Sequence, residues 1–133
     1  MPAIPQCSLA NTRGTGIVAN EWFDTKDGDQ IYCVEAPAFS SASDPKRHVG
    51  PTNLLATTLG DWMKDQQPMS RVVAVSGKDR ASITMAGHRG DGVFWYEDNF
   101  GFTTYLAARE NAAEKLGSVS AALDLFRRFL PRP

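Results

Sequence analysis

The stretch VVAVSGKDRASITMAGH, residues 72–88, decides how the chain is read. The run RVVAV (71–75) does not alternate apolar with polar, so it reads as a strand buried on both faces. DRASITMAG then reads as a short helix ended by Gly87. A strand that hands over to a helix leaves unpaired N–H groups at the helix start, and these favour an anion. Lys78 and Arg80 stand at that junction. Side chains two apart in an extended segment share a side, so the two cations should converge while Asp79 faces away. Lysine supplies a compact charge and arginine a planar fork that holds two oxygens at once, which suits a phosphoryl group with two free oxygens. The same spacing also fits two surface cations with Asp79 as their partner.

Outward from this stretch, the chain reads as an α/β layer with antiparallel additions, in the order ββ-loop-αβαββα. GIVANEWFD and QIYCVE are β-rich runs joined by TKDGD, where Asp27-Gly28 suits a tight hairpin turn. APAFSSASDPKRHVGP reads as a polar loop. A helix is expected from about Thr52 to Asp65, capped by Thr52, with Leu54, Leu55, Thr58, Leu59, Trp62 and Met63 on one face. GVFWY and GFTTY flank EDNF as a second hairpin. SVSAALDLFRRFL forms a last helix (117–130), with Val119, Ala122, Leu123, Phe126 and Leu130 on one face, stopping at Pro131. The first 16 residues read as irregular, since two prolines and then Asn11, Gly14 and Gly16 break any period. No internal boundary stands out, so residues 1–133 are read as one partial domain.

Composition narrows the function classes. With 133 residues, 42% of them hydrophobic and 22% charged, the chain is of ordinary globular make-up. Its 14 basic and 15 acidic residues leave a net charge of −1, which gives no general attraction to nucleic acid or to an anionic membrane. Any anion site must be local. No stretch reaches the roughly 18 apolar residues of a membrane span, and no signal peptide is read at the N-terminus, so the chain as written is expected in the cytoplasm. Cys7 and Cys33 have neither zinc-site spacing nor a histidine cluster, and they read either as a disulfide or as two buried thiols.

Few other residues suggest chemistry. Asn20 lies among apolar neighbours, beside Trp22 and Phe23, at the start of a strand. Its amide can donate to a substrate oxygen or cap local backbone. His48 and His88 lack a carboxylate at ligand spacing and read as loop histidines rather than metal ligands. Asp24, Asp27, Asp29, Asp91, Glu97 and Asp98 all sit in turn-like contexts, where such residues serve local hydrogen bonding.

The segment VSGKDRASITMAGHRGDGVFWYEDNFGFTTY resembles the Ser-x-Lys-x-Arg region of the alkaline phosphatase superfamily. The likeness is to the PafA-like, single-threonine phosphatases, also described as type I phosphodiesterase/nucleotide pyrophosphatase relatives. It continues in TGIVANEWFD, in IYC after the hairpin, and in GPTNLLATTLGDWM, and together these span about Gly14 to Tyr105. The resemblance implies an α/β fold, a partial alkaline-phosphatase-like sheet with helices and two β-hairpins. It implies that Asn20, Lys78 and Arg80 bind the substrate phosphate, with phosphate or a phosphomonoester as partner. In the intact family a threonine or serine takes the phosphoryl group and water removes it, with two zinc ions activating the oxygens.

The resemblance also marks what these residues lack. The family's Thr-x-Pro-Gly-His nucleophile stretch is absent, and so are its zinc-ligand motifs. The chain therefore resembles an internal segment of a longer periplasmic or secreted enzyme, with no catalytic residue, metal ligand or cofactor of its own. It is expected to carry the phosphate clamp and to be inactive alone. The alternatives are a non-catalytic phosphate-binding module and a functionless remnant, whose exposed sheet edges would make it self-associate.

Overall fold

The computed structural model describes residues 12–107. The C-terminal helix read at 117–130 and Cys7 lie outside the described residues. The elements run α1 (Thr12–Thr15), β1 (Glu21–Phe23), β2 (Gln30–Tyr32), β3 (Phe39–Ser41), α2 (Leu59–Gln66), β4 (Val73–Ser76), α3 (Asp79–Ala86), β5 (Gly92–Glu97), β6 (Gly101–Thr103) and β7 (Tyr105–Ala107). The α/β class and both hairpins are as expected. The centre is a β4–α3–β5 unit in which β4 pairs parallel with β5, while β5 pairs antiparallel with β6. Gly87 ends α3 with a positive φ of 71°, a conformation that glycine reaches without Cβ strain.

The core lies between the three-stranded sheet and α3. Ala74, Val93 and Trp95 from the strands meet Ile83 and Ala86 from the helix, and Ile17, Val34, Val49 and Leu54 extend the cluster. Ser82 in mid-helix donates its hydroxyl hydrogen to the Phe94 carbonyl at 2.6 Å, so this buried hydroxyl is satisfied.

Four local expectations are corrected. The first hairpin turns through Asp24–Asp29 rather than a two-residue turn: Asp24 N–H donates to Asp29 O at 2.8 Å, and the Asp24 carboxylate accepts from Lys26 N–H at 2.8 Å. That side chain closes an Asx turn and widens the loop. Thr12–Thr15 is a single helical turn rather than irregular chain. The polar loop hides a strand, since Phe39–Ser41 pairs antiparallel with Tyr105–Ala107. Such a strand has no local signal because its partner lies more than sixty residues away. The fourth concerns β4, where Ala74 is 8% exposed but Val73 and Val75 are each 48% exposed. Only one face of β4 is covered among the described residues, not two.

The helix expected over 52–65 begins only at Leu59. Before it, Leu55 N–H goes to the Thr15 carbonyl at 2.8 Å and the Asn53 amide donates to Tyr32 O at 3.3 Å. These long-range bonds tie the segment to α1 and β2 and hold it out of the helix. The buried face of α2 also differs: it buries Gly60 and Asp61, while Leu59, Trp62 and Met63 are exposed and border an open groove with Gln66, Gln67 and Ser70. Gly60 packs directly on the Ala86 backbone of α3, a gap with no room for a Cβ. Asp61, 1% exposed, accepts from Thr58 N–H at 3.0 Å, His88 N–H at 3.0 Å and Arg89 N–H at 3.1 Å. One carboxylate thereby satisfies the start of α2 and the turn after α3.

Two stability measurements follow from these ties. Asp61→Ala strands three N–H groups and should cost about 3 kcal/mol in urea unfolding. Asp91 accepts from Lys64 Nζ at 2.8 Å and from Val72 N–H at 2.7 Å, and these bonds hold its carboxyl below the ordinary value of 3.8. A lowered carboxyl stabilises the fold fully above that ordinary value and loses its contribution as pH falls through the folded one. Wild type should therefore be more stable than Asp91→Asn at neutral pH, and the two urea midpoints should converge below about pH 4.

Candidate phosphate-binding site

Arg80 occupies the second position of α3, and Lys78 precedes the helix as its N-cap in an extended conformation (φ −138°, ψ 137°). The helix thus begins inside the stretch that the sequence treats as extended, which alters the expected geometry. Asp79 does not face solvent: it is 3% exposed. Its Oδ1 accepts from Arg80 N–H at 2.7 Å, so that N–H at the helix start is already satisfied by protein.

Asp79 is the centre of the local charge arrangement. Tyr32 donates its hydroxyl hydrogen to Asp79 Oδ1 at 2.8 Å, and Arg47 Nη2 pairs with Asp79 Oδ2 at 2.6 Å. Arg47 Nη1 reaches Glu97 Oε1 at 2.8 Å, where Trp95 Nε1 also donates at 2.9 Å. Ser43 donates to Glu97 Oε2 at 2.7 Å. Glu97, read from sequence as a local turn carboxylate, instead ties the segment following β3 to β5. Burial raises the Tyr32 hydroxyl above its ordinary 10.0, and the Asp79 carboxylate adds to that, while the Arg80 hydrogen bond opposes it. The hydroxyl is therefore neutral, and a donor, through neutral and mildly alkaline pH.

Arg80 donates from Nη1 to the Tyr32 hydroxyl at 3.1 Å, and its buried Nε has no acceptor. It forms no ion pair with any described carboxylate, despite following Asp79 in sequence. Asn20 sits at the foot of the first hairpin, its carbonyl accepting from Cys33 N–H at 2.9 Å. Its buried side-chain Oδ1 has no partner. Tyr32 next to Cys33 thus links the strand pair holding Asn20 to Arg80. Lys78 is exposed, and its ammonium has no described partner. Arg80 also lines an open cavity of about 520 Å³, together with Lys46, Arg47 and His48 and with Glu21 and Glu35.

The remaining expectations can be placed. His48 Nδ1–H donates to the Phe39 carbonyl at 2.8 Å, a structural role. Among the described residues no three His, Cys, Asp or Glu side chains gather as a metal site. These residues do not fit a two-zinc centre by themselves. Tyr32 and Arg47 were not singled out from sequence, and Glu97 was read only as a turn residue. Their partners are 47, 32 and 50 positions away, beyond the reach of any spacing rule.

Arg47→Ala removes the cation paired with a buried carboxylate. Because Asp79 keeps two donors, the loss should be about 2 kcal/mol by urea unfolding. Adding Asp79→Asn should recover part of that loss.

No family model matches the chain. It is similar to alkaline phosphatase PhoD of Zymomonas mobilis, 38% identical over 120 residues, covering 87% of this chain and 20% of that protein. It is 40% identical to alkaline phosphatase PhoK of a Sphingomonas species over 94 residues, covering 68% of this chain and 17% of the other. The crystal structure of alkaline phosphatase PafA superposes with a TM-score of 0.65 at 35% identity, over 73% of this chain and 20% of that one. A solved PafA variant, with a threonine changed to serine and an asparagine, a lysine and an arginine changed to alanine, gives the same TM-score of 0.65. By sequence and by fold the chain belongs to the alkaline phosphatase family, and it spans about a fifth of the length of the relatives it matches.

Proposed function

We propose that the chain is the phosphate-holding segment of a phosphate monoester hydrolase, with Asn20, Lys78 and Arg80 holding the phosphoryl oxygens. The observation that carries this reading is a fixed guanidinium with uncommitted donors. Arg80 is anchored through Nη1 on Tyr32, while its buried Nε has no acceptor. A buried donor without a partner is costly, and a bound anion would relieve that cost. Asn20 presents an equally unpartnered amide, whose NH2 takes the place of Oδ1 on a half-turn of the group. The Lys78 ammonium is not committed to a carboxylate. In the PafA variant, the replaced lysine and arginine are separated by one residue, as Lys78 and Arg80 are here.

Two cations facing two free oxygens favour a monoester dianion, since a diester sets an ester group against one of them. The described residues supply binding rather than bond cleavage. The family's two zinc ions would provide the Lewis acidity, on ligands that the described residues do not assemble. The expectation remains that this polypeptide is inactive alone, and that a periplasmic or secreted setting belongs to the intact enzyme. The half-exposed valines of β4 favour self-association of the isolated chain.

Inorganic phosphate titrated against the 133-residue chain should raise its melting temperature and broaden the phosphate ³¹P resonance, more strongly at low salt. Arg80→Ala and Asn20→Ala should each weaken the interaction about fivefold. Absence of any effect at millimolar phosphate would leave the remnant reading. Zinc-dependent hydrolysis of an aryl phosphate, lost in Lys78→Ala, would refute the expected inactivity.

A further inference from the structure

Asp79 and Arg80 are adjacent in sequence and oppositely charged, yet they do not pair through their side chains. The buried carboxylate pairs with Arg47 at 2.6 Å, and between it and Arg80 stands the Tyr32 hydroxyl. A phenol carries one hydrogen and two acceptor lone pairs. Its hydrogen goes to Asp79 Oδ1, so it receives the N–H of Arg80 Nη1 as acceptor, and the donor accounting closes.

We propose that Tyr32 is a positioning residue for the anion site: it aims the Arg80 guanidinium and, as a neutral spacer, keeps Arg80 from being neutralised by Asp79. This rests on the phosphate-holding role proposed for Arg80. An arginine side chain has several free torsions, and holding it in one geometry costs entropy at the moment of binding unless the protein has already fixed it. Tyr32 does the fixing from β2, and Asp79 fixes Tyr32. Arg47 balances the carboxylate from the opposite side, with its other nitrogen on Glu97 at 2.8 Å. Two consequences reach the anion. One edge of the guanidinium is committed, which leaves the others for oxygens. Its positive charge also stays unpaired among the described residues, although a carboxylate lies one residue away.

The test is a binding cycle with inorganic phosphate, read by ³¹P line broadening and by thermal shift. Tyr32→Phe keeps the ring and deletes the hydroxyl. It should weaken phosphate binding about fivefold in the wild-type chain and change it by less than about 1.5-fold in an Arg80→Ala background. Equal affinity of Tyr32→Phe and wild type overturns the inference, as does an equal loss in both backgrounds, which a merely structural role would give. If Arg80→Ala itself leaves phosphate binding intact, the phosphate reading fails first and this inference with it. Asp79→Asn serves as a second variant should Tyr32→Phe not fold. Because Asp79 fixes Tyr32, this variant should weaken phosphate binding about twofold in the wild-type chain and leave it unchanged in an Arg80→Ala background, and any other outcome overturns the proposal.

Discussion

The structure turns on a carboxylate that is almost wholly removed from water. Asp79 at 3% exposure would be prohibitively costly alone, and it is tolerated because three donors from three parts of the chain converge on it. Tyr32 comes from the first hairpin, Arg47 from the segment following β3, and the Arg80 N–H from the helix that Asp79 itself begins. The hairpin bearing Asn20, the basic loop and the β4–α3–β5 unit are thereby fixed relative to one another by one charge. Because Arg47 and Tyr32 absorb that charge, Arg80 is left without a carboxylate partner among the described residues, at the site proposed to hold a phosphoryl group.

A second buried carboxylate does the same work at the other end of α3. Asp61 takes N–H groups from Thr58, His88 and Arg89, and so couples the start of α2 to the turn that follows Gly87. Asp61 explains why small and polar residues, rather than the apolar ones, make the α2–α3 contact. Gly60 allows the helices to approach, Asp61 satisfies what the approach buries, and Trp62 and Met63 turn outward.

The site was partly legible before any tertiary contact was known. Lys78 and Arg80 are marked by their position at a strand-to-helix junction, and the structure has Lys78 there as the N-cap, with Arg80 already in the first turn of α3. Their expected convergence depends on an extended backbone through both residues. The helix instead begins at Asp79, whose side chain is buried. Asn20 was marked by its apolar surroundings, with a substrate-donor and a backbone-capping reading left open, and the phosphate role came from the resemblance of motif. Tyr32, Arg47 and Glu97 carried no sequence signal of these roles, because each acts through a partner brought near by folding.

The sequence by itself determined the strand–helix–strand order of β4, α3 and β5, the glycine that ends α3, the second hairpin, and the family to which the chain is similar. These depend on local stereochemistry and on motifs, and both are written within a few residues. Only the tertiary structure decided which faces are covered. Apolar periodicity shows that a face suits contact, as in Leu59, Trp62 and Met63 or Val73 and Val75, without showing what covers it. Tertiary structure also decided that Asp79 is a buried hub, because an aspartate's environment depends on donors brought from 32 and 47 positions away.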